Sequence, residues 1–486
     1  MVVAAGLAAF LFLRTFVDLS TPVLLGGDQG FFWMYGERML HGQLPYRDFF
    51  QFTLPGADVA HLAVFALLGP HAWVTDALIV ALGASLAVLS FVVARAVMTD
   101  ASAALASSVL VVLVFGQALT TTHHWWSALF LVAAVAAFGT GERNLRLACA
   151  GGLLGLATFC TQTHGVASLL AFAMFLWNRG TSRRRDLALL GGSYVVALFV
   201  AMAYFVAAAG PAAVWSCTVS YVVTQMALSG ATSGLGLPEA LTRDSLPALL
   251  PYLAVYALVP AGYALLPRAA LRDVASDVRA RLTLLWLVGV VLLFEVLISL
   301  TWVRLFAVAW PGVIVLVCVV DRARSGRRIC LGVAWISVVG LACILARSTH
   351  RHHQTLVHLP GGEIVATERG DAEELEWLVE HVVPGRSLFA MDRPSIYLPL
   401  GLESGLYMDA AVPTVQTTRG LATRAIAELE GVCTEYVLWS AIHEEASAQR
   451  GEAMAGLRAL GTYLHAKYHR VSTFAGGDEV WQRNSS

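Results

Sequence analysis

Long apolar runs recur through the first two thirds of this chain and restrict its fold more than any other feature. In a helix that rises about 1.5 Å per residue, about 20 apolar residues span the hydrocarbon layer of a bilayer. The runs that approach or reach this length lie at residues 2–19, 74–98, 102–120, 125–140, 146–160, 164–178, 187–209, 247–266, 281–300, 303–320 and 329–346. The pattern predicts a polytopic α-helical membrane protein with about 11 transmembrane helices. The shorter run at 58–68 predicts a surface or half-buried helix.

The composition agrees with this fold class and argues against both a soluble globular protein and a nucleic-acid-binding protein. Hydrophobic residues make up 57% of the 486 residues and charged residues only 13%, and the mean hydropathy is +0.68. A soluble globular protein does not have such a composition, so membrane lipid is the expected surrounding. No basic stretch alternates with exposed aromatic residues, which argues against nucleic acid as a partner.

Arginines collect in alternate loops between the predicted spans. They are Arg143 and Arg146, then Arg179 and Arg183 to Arg185, then Arg268, Arg272, Arg279 and Arg281, then Arg322, Arg324, Arg327 and Arg328. Cytoplasmic loops carry the excess of positive charge. The pattern therefore predicts that the loop at 20–73 and everything from residue 347 onward lie outside the cytoplasm.

The composition changes near Gly370, where helical and strand-like segments begin to alternate. Asp371 opens a segment with an acidic first turn, and further helices are predicted at 421–430 and 444–467. Strands are predicted at 387–390, 436–439, 468–474 and 479–483. This pattern predicts two parts of the chain: a transmembrane domain over residues 1–346, with its outer acidic loop at 20–73, and an extracytoplasmic α/β domain over residues 347–486.

The outer loop holds two aspartates in otherwise apolar and aromatic surroundings. Asp28 lies within Gly26-Gly27-Asp28-Gln29-Gly30, and Asp48 lies within Tyr46-Arg47-Asp48-Phe49-Phe50, before Leu54-Pro55. Between them, the helical spacing of Phe31, Tyr35 and Met39 predicts a helix along the bilayer surface. If this helix leads away from Asp28 and the chain then turns back at Asp48, both carboxylates could lie in one pocket. The alternative is that Asp28 is a helix N-cap and Asp48 a solvated loop charge.

This loop resembles the first outer loop of the GT-C membrane glycosyltransferases, in particular the family 39 and protein-mannosyltransferase-like bacterial branch. Asp28 matches the loop aspartate of the family, Tyr46-Arg47-Asp48-Phe49 matches its second acidic motif, and Pro55 with Leu68-Gly69 matches the end of the loop. The order of first span, acidic loop, many spans and outer α/β domain is also similar. Gln29 and Leu54 depart from the pattern, which has Glu and Pro there, so the second acid expected from the resemblance is Asp48.

The resemblance implies an enzyme in the cytoplasmic membrane of a bacterium that moves a sugar from a polyprenyl-phosphate carrier to an acceptor on the outer face. The acceptor could be a glycan, a lipid or a protein. Asp28 is the expected general base, with Asp48 as the second catalytic acid, and Gln29 and Tyr46 are candidates for lining the substrate pocket. Arg47 suits a leaving phosphate because a guanidinium matches phosphate oxygens in pairs; the alternative is an arginine that reaches to lipid headgroups. A divalent cation held by the aspartates against the phosphate is a further possibility.

Polar residues also lie at the outer ends of the predicted spans. His123 and His124 precede two tryptophans and are candidates for the substrate pocket, the alternative being an interface belt. Gln162 and His164 are candidates for binding the donor phosphate, the alternative being helix caps. Charged groups inside membranes face a partner or a cavity, so Arg304 is a further donor-phosphate candidate, or else a structural ion pair with Glu295.

Two other functions compete with the transferase hypothesis. A transporter or flippase would use Glu295 and Arg304 as a coupling pair, but the paired broken helices and internal repeat that favour a transporter are not visible in the sequence. A non-catalytic protein that binds polyprenyl carriers would keep the acidic loop without turnover. The sequence does not identify the sugar.

Overall fold

The computed structural model describes residues 2–139, 142–178, 183–223, 246–266, 274–298, 300–323, 325–351, 355–391, 393–411, 417–442, 444 and 455–484. Arg179, Arg268, Arg272 and Arg324, four of the arginines used to predict the orientation, lie outside these residues. The chain divides into two compact units. The helical unit comprises Met1–Arg14, Leu78–Tyr204 and Ala231–Arg347, and the mixed unit comprises Thr15–Ala77, Phe205–Gly230 and Ser348–Ser486.

Helices dominate the described residues, largely at the predicted apolar runs. They are α1 (Val2–Thr15), α2 (Gln29–Leu40), α3 (Gly56–Leu68), α4 (Ala72–Arg95), α5 (Asp100–Ala118), α6 (His123–Phe138), α7 (Arg143–Cys160), α8 (Gln162–Trp177), α9 (Arg183–Ala209), α10 (Pro211–Trp215), α11 (Leu246–Ala264), α12 (Ser276–Leu297), α13 (Trp302–Ala307), α14 (Trp310–Asp321), α15 (Arg327–Arg351), α16 (Arg369–His381), α17 (Tyr397–Leu400), α18 (Arg419–Val432) and α19 (Ala455–Lys467).

Five of the described helices, α4, α5, α9, α12 and α15, are long and apolar enough to cross a membrane. Other apolar helices are shorter, including α1, α6 and α14. Two predicted spans were wrong in extent. The run at 2–19 is helical only to Thr15, and Asp18 then accepts hydrogen bonds from the Ser20 and Thr21 amides at 2.8 Å. The run at 303–320 is two helices, α13 and α14, and Pro311 in the first turn of α14 cannot continue a preceding helix.

Small residues allow close helix packing in the helical unit. A Cβ placed on Gly151 of α7 would come within 2.2 Å of the Leu190 carbonyl oxygen of α9, and one on Gly262 of α11 would come within 2.5 Å of the Gly312 carbonyl oxygen of α14. In a membrane, where lipid is as apolar as the side chains, helices associate through such close contacts. Helix α15, by contrast, exposes apolar side chains along its length, such as Ile329, Ile336 and Ile344, as expected for a surface that faces lipid.

The predicted helix of the outer loop exists as α2, and its predicted position along a bilayer surface stays a prediction. Nine of its residues are buried, including Phe32, Trp33 and Met34, so protein packs around most of it. Trp33 packs with Phe65 of α3 and Leu398 of the C-terminal region. The short helix predicted at 58–68 is confirmed as α3.

The C-terminal region is mixed α/β, as predicted. Its strands are β1 (Thr355–Leu359), β2 (Gly362–Ala366), β3 (Leu388–Ala390), β4 (Tyr436–Ser440), β5 (Tyr468–Thr473) and β6 (Asp478–Arg483). A four-stranded sheet has the order β3-β4-β6-β5, with β3 parallel to β4 and the other pairs antiparallel. The β1–β2 hairpin was not predicted. The helix expected to begin near residue 444 is described only from Ala455.

The β1–β2 hairpin ties the first loop residues to the C-terminal region within the mixed unit. The Leu24 amide donates to the Val365 carbonyl at 2.8 Å, and the Val365 amide donates to the Pro22 carbonyl at 2.9 Å. The acidic loop and the residues after 347 therefore belong to one compact unit. The domain boundary at residues 346 and 347 remains a prediction about membrane topology.

Candidate functional site

Asp28 occupies the N-cap position of α2, yet its carboxylate makes no capping hydrogen bond. The turn before it is open: a Cβ added to Gly26 or Gly27 would meet no atom within 4 Å. The Asp28 side chain is exposed, and desolvation by the surrounding protein atoms raises the pKa of its carboxyl. A carboxylate that does not cap its helix and has an elevated pKa is suited to accepting a proton.

The residues directly after Asp28 anchor the start of α2. Gln29 is 1% exposed, and its Nε2 donates to the Leu25 carbonyl at 2.9 Å. Gly30 packs against the backbone of Ser395, so closely that a Cβ there would lie 2.4 Å from the Ser395 amide nitrogen. Gln29, predicted as a substrate contact, thus holds the loop in this structure. The glycine that the packing requires is Gly30, whereas Gly26 and Gly27 leave the approach to Asp28 open.

Asp48 lies in a tight turn and is held on both sides. Its Oδ2 accepts from the Leu44 amide at 2.8 Å and forms a 2.7 Å ion pair with Nη2 of Arg47. The hydrogen bonds from Arg47, with that from Leu44, lower the pKa of the Asp48 carboxyl. The two aspartates therefore differ: Asp28 favours the protonated form more than usual, and Asp48 favours the ionised form. Such a divergence separates a group that exchanges protons from one that keeps its charge.

Arg47 and Tyr46 have different surroundings in the same turn. The Arg47 side chain is 48% exposed and is engaged by Asp48, so a phosphate would have to share or displace this contact. Tyr46 is 2% exposed, its hydroxyl donates to the Thr53 carbonyl at 2.7 Å, and its φ is +71°. A left-handed backbone at a bulky residue is uncommon. Tyr46, predicted to line the substrate pocket, supports the turn that holds Asp48.

Asp58 is a buried polar group of the acidic loop that was not among the predicted site residues. Asp58 is 0% exposed. Its Oδ2 accepts from Nε2 of Gln51 at 2.6 Å, whereas its Oδ1 has no partner among the described residues. Burial raises the pKa of this carboxyl to about 7. Asp58 could have been predicted from the sequence, because it is a carboxylate inside the apolar run at 58–68.

Four polar residues predicted at the outer ends of spans, together with Glu295, which was predicted inside a span, meet within the helical unit. His123 and His124 open α6, His164 lies in the first turn of α8, Glu295 lies near the end of α12, and Arg304 lies in α13. The His123 and His124 ring centroids are 4.0 Å apart, and those of His124 and His164 are 5.2 Å apart. Nε2 of His164 lies 3.5 Å from Oε2 of Glu295.

Arg304 completes this cluster through an ion pair with Glu295, in which Nη2 and Oε1 are 2.7 Å apart. His164 is 0% exposed, and its Nδ1 has no partner among the described residues. Gln162, half-buried, opens α8 two residues before His164. The cluster presents imidazoles and one guanidinium, groups that can donate hydrogen bonds to an anion.

In the part of the chain that the structure describes, no three His, Cys, Asp or Glu side chains are grouped so that they could hold a metal ion. Asp48 is also engaged by Arg47. A divalent cation held by the two aspartates against the donor phosphate stays a prediction.

The whole chain is similar in structure to GT-C glycosyltransferases. ArnT from Cupriavidus metallidurans, solved bound to undecaprenyl phosphate, aligns with a TM-score of 0.60 at 12% identity over 100% of this chain and 98% of its own. The archaeal oligosaccharyltransferase AglB from Archaeoglobus fulgidus, in complex with an inhibitory peptide and a dolichol-phosphate, aligns with a TM-score of 0.56 at 13% identity over 100% and 74%. The arabinofuranosyltransferase AftD from Mycobacteria aligns with a TM-score of 0.50 at 12% identity over 100% and 41%.

At these identities the likeness shows the fold, which confirms the predicted GT-C-like architecture. No known protein family and no curated protein matches the chain in sequence.

Proposed function

We propose that this chain is an inverting glycosyltransferase of the GT-C class, acting on the outer face of a bacterial cytoplasmic membrane. It takes a sugar from a polyprenyl-phosphate donor and places it on an acceptor hydroxyl or amine, with Asp28 as general base. The proposal includes the predicted position of the C-terminal region outside the cytoplasm, and the pattern from Asp28 to Gly69 favours the family 39 and protein-mannosyltransferase-like branch.

One observation carries the assignment of the base. Asp28 stands where a capping residue would stand, but its side chain is not used for capping. Substituting a capping Asp is usually costly because the cap satisfies an orphan backbone amide. Helix capping therefore does not explain why an aspartate stands at this position. The open turn of Gly26 and Gly27 gives a ligand access to the Asp28 carboxylate.

In the proposed reaction, the acceptor oxygen or nitrogen attacks the anomeric carbon of the donor sugar. The bond from this carbon to the phosphate oxygen breaks as the new bond forms, which inverts the anomeric centre in a single displacement. Asp28 takes the proton from the acceptor, and polyprenyl phosphate leaves with the bonding electron pair. Asp48 stays ionised and keeps Arg47 at the turn, and Arg47 offers a half-exposed guanidinium for the negative charge on the leaving phosphate.

The donor-binding role of Arg304, His164 and Gln162 is a separate part of the proposal and concerns the helical unit alone. It is supported by the convergence of His123, His124 and His164 on the Glu295–Arg304 pair. A buried imidazole with an unpartnered nitrogen costs free energy unless a ligand or water satisfies it. An anionic ligand would supply an acceptor for such a group.

The experiment uses the purified full chain in nanodiscs with a panel of radiolabelled polyprenyl-phosphate monosaccharides. Sugar transfer or release and donor binding are scored for the wild type, Asp28→Asn and Asp48→Asn. Donor-dependent turnover that is lost in Asp28→Asn, with binding kept, supports the transferase and names the sugar. Binding without turnover, unaffected by either substitution, contradicts it and favours a polyprenyl-carrier binding protein. Movement of donor across the bilayer without chemistry favours a transporter or flippase.

A further inference from the structure

Arg38 connects the two parts of the acidic loop through one buried guanidinium. It lies on α2, the helix whose N-terminus carries Asp28, and it is 7% exposed. Its Nη2 donates to the backbone carbonyl of Asp48 at 3.2 Å, and its Nε donates to Oε1 of Gln43. The guanidinium carbon lies 4.8 Å from the centre of the Phe49 ring. The residues just before and within the Asp48 turn are thus fixed to the helix that presents Asp28.

The same guanidinium is held from the other side by the C-terminal region. Its Nη1 donates to the Leu406 carbonyl at 3.0 Å and forms an ion pair with Asp409, which is 3% exposed. Asp409 also accepts from the Ser404 hydroxyl at 2.6 Å. The Phe50 amide donates to the Tyr407 carbonyl at 2.7 Å. The segment from Ser404 to Asp409 is therefore bound to the acidic loop by hydrogen bonds and an ion pair.

Burying the Arg38–Asp409 ion pair costs free energy, because both charges lose their contact with water. An apolar pair of the same size is often as stable. A guanidinium differs from an ammonium in that its planar fork directs several donors at fixed angles. Arg38 uses this fork on four acceptors, two backbone carbonyls and two side-chain oxygens, from two segments of the mixed unit. Its geometry is therefore better explained by positioning than by stability.

We infer that Arg38, held by Asp409, is a positioning residue that fixes the Asp48 turn relative to the helix carrying Asp28, so that part of the C-terminal region sets the geometry of the acidic loop. The inference deepens the proposed function and rests on it for its consequence in catalysis. A misplacement of about 1 Å in a reacting group can cost about 100-fold in rate, so the loss should fall mainly on kcat.

The test compares Arg38→Lys and Asp409→Asn with Arg393→Lys as the matched control. Arg393 is half-buried in the mixed unit and, like Arg38, pairs with carboxylates: Asp371, Glu374 and Asp478, none of which lies in the acidic loop. Two quantities are measured on the full chain in nanodiscs: steady-state kcat and KM for the donor, and hydrogen exchange of the amides at residues 44–50.

Arg38→Lys and Asp409→Asn should lower kcat about 10- to 100-fold with little change in KM, and should speed exchange at residues 44–50. Arg393→Lys should change neither, even if its thermal stability falls as much. Unchanged exchange at 44–50 in Arg38→Lys, or an equal loss of kcat in Arg393→Lys, overturns the inference. If the wild type itself lacks turnover while exchange rises only in the Arg38 and Asp409 variants, the proposed function fails and the positioning contact stands.

Discussion

Nη2 of Arg304 lies 2.7 Å from Oε1 of Glu295, across the break between α12 and α13. The pair is local in sequence, nine residues apart, but it meets His164, which comes from a distant helix. A purely structural ion pair and an anion-binding arginine have different consequences when each partner is neutralised, so the two explanations can be separated.

We expect Arg304→Gln to weaken donor binding about 10- to 100-fold, because a hydrogen bond to a charged group contributes about 1.5–3 kcal/mol. Glu295→Gln should keep or improve binding, since it removes the carboxylate that competes with the phosphate for the guanidinium. Equilibrium binding of a radiolabelled polyprenyl-phosphate sugar measures both. If the two substitutions lower thermal stability equally and leave donor affinity unchanged, the pair is structural.

Asp28→Asn should reduce turnover by about 100- to 10,000-fold, the usual contribution of a positioned general base. Donor binding should change little, because the amide keeps the shape of the side chain. Asp18→Asn is the matched control, since Asp18 is an exposed aspartate of the same unit whose carboxylate only holds its own turn. A similar loss of turnover in both variants would contradict a specific role for Asp28.

The pH dependence of kcat/KM should show an acidic limb above pH 3.8, the ordinary pKa of an aspartate, because desolvation by the surrounding protein atoms raises the pKa of Asp28. Activity rises with pH through this limb as the base loses its proton. Asp48 should not contribute in that range, because hydrogen bonds from Arg47 and Leu44 lower its pKa. A pH–rate profile with its limb at or below pH 3.8 would exclude Asp28 as the group that titrates.

Asp58 should make the wild type less stable as the pH rises. Its pKa is about 7 in the folded chain against an ordinary 3.8, so between these values the folded state binds more protons than the unfolded state. Stability therefore falls from about pH 4 to pH 7. Asp58→Asn should remove this dependence and be more stable than wild type at pH 8, by an amount on the order of a few kcal/mol.

Thermal melts of wild type and Asp58→Asn at pH 5 and pH 8 measure this effect. The same variant should keep the acidic limb of kcat/KM, which separates the titration of Asp58 from that of Asp28. A wild-type melting temperature that rises between pH 5 and pH 8 relative to the variant would contradict the elevated pKa.

Gly30→Ala should destabilise the mixed unit by about 1–3 kcal/mol, the usual cost of overpacking. The added Cβ would lie 2.4 Å from the Ser395 amide nitrogen, a backbone atom that cannot move aside alone. Gly26→Ala is the control, because no atom lies within 4 Å of the position of its Cβ. Thermal denaturation measures both, and equal stability of the two variants would show that α2 does not pack on Ser395 as described.

The sequence by itself determined the features that depend on local pattern. Apolar runs predicted most of the helices, and alternating segments predicted the β3, β4, β5 and β6 strands. These follow from hydrophobic burial and backbone preferences that act over a few residues. The acidic loop could also be selected, because carboxylates are conspicuous among apolar residues.

Only the tertiary structure decided which side chains meet. Arg38 and Asp409 are 371 residues apart in the chain, and no periodicity links them. The same holds for His164 and Glu295, and for the burial of α2, whose aromatic residues suit lipid and a protein core equally well. Partners for a buried charge are chosen by the packing of distant segments, because the free-energy cost of burying the charge is offset only where the fold supplies its counter-charge.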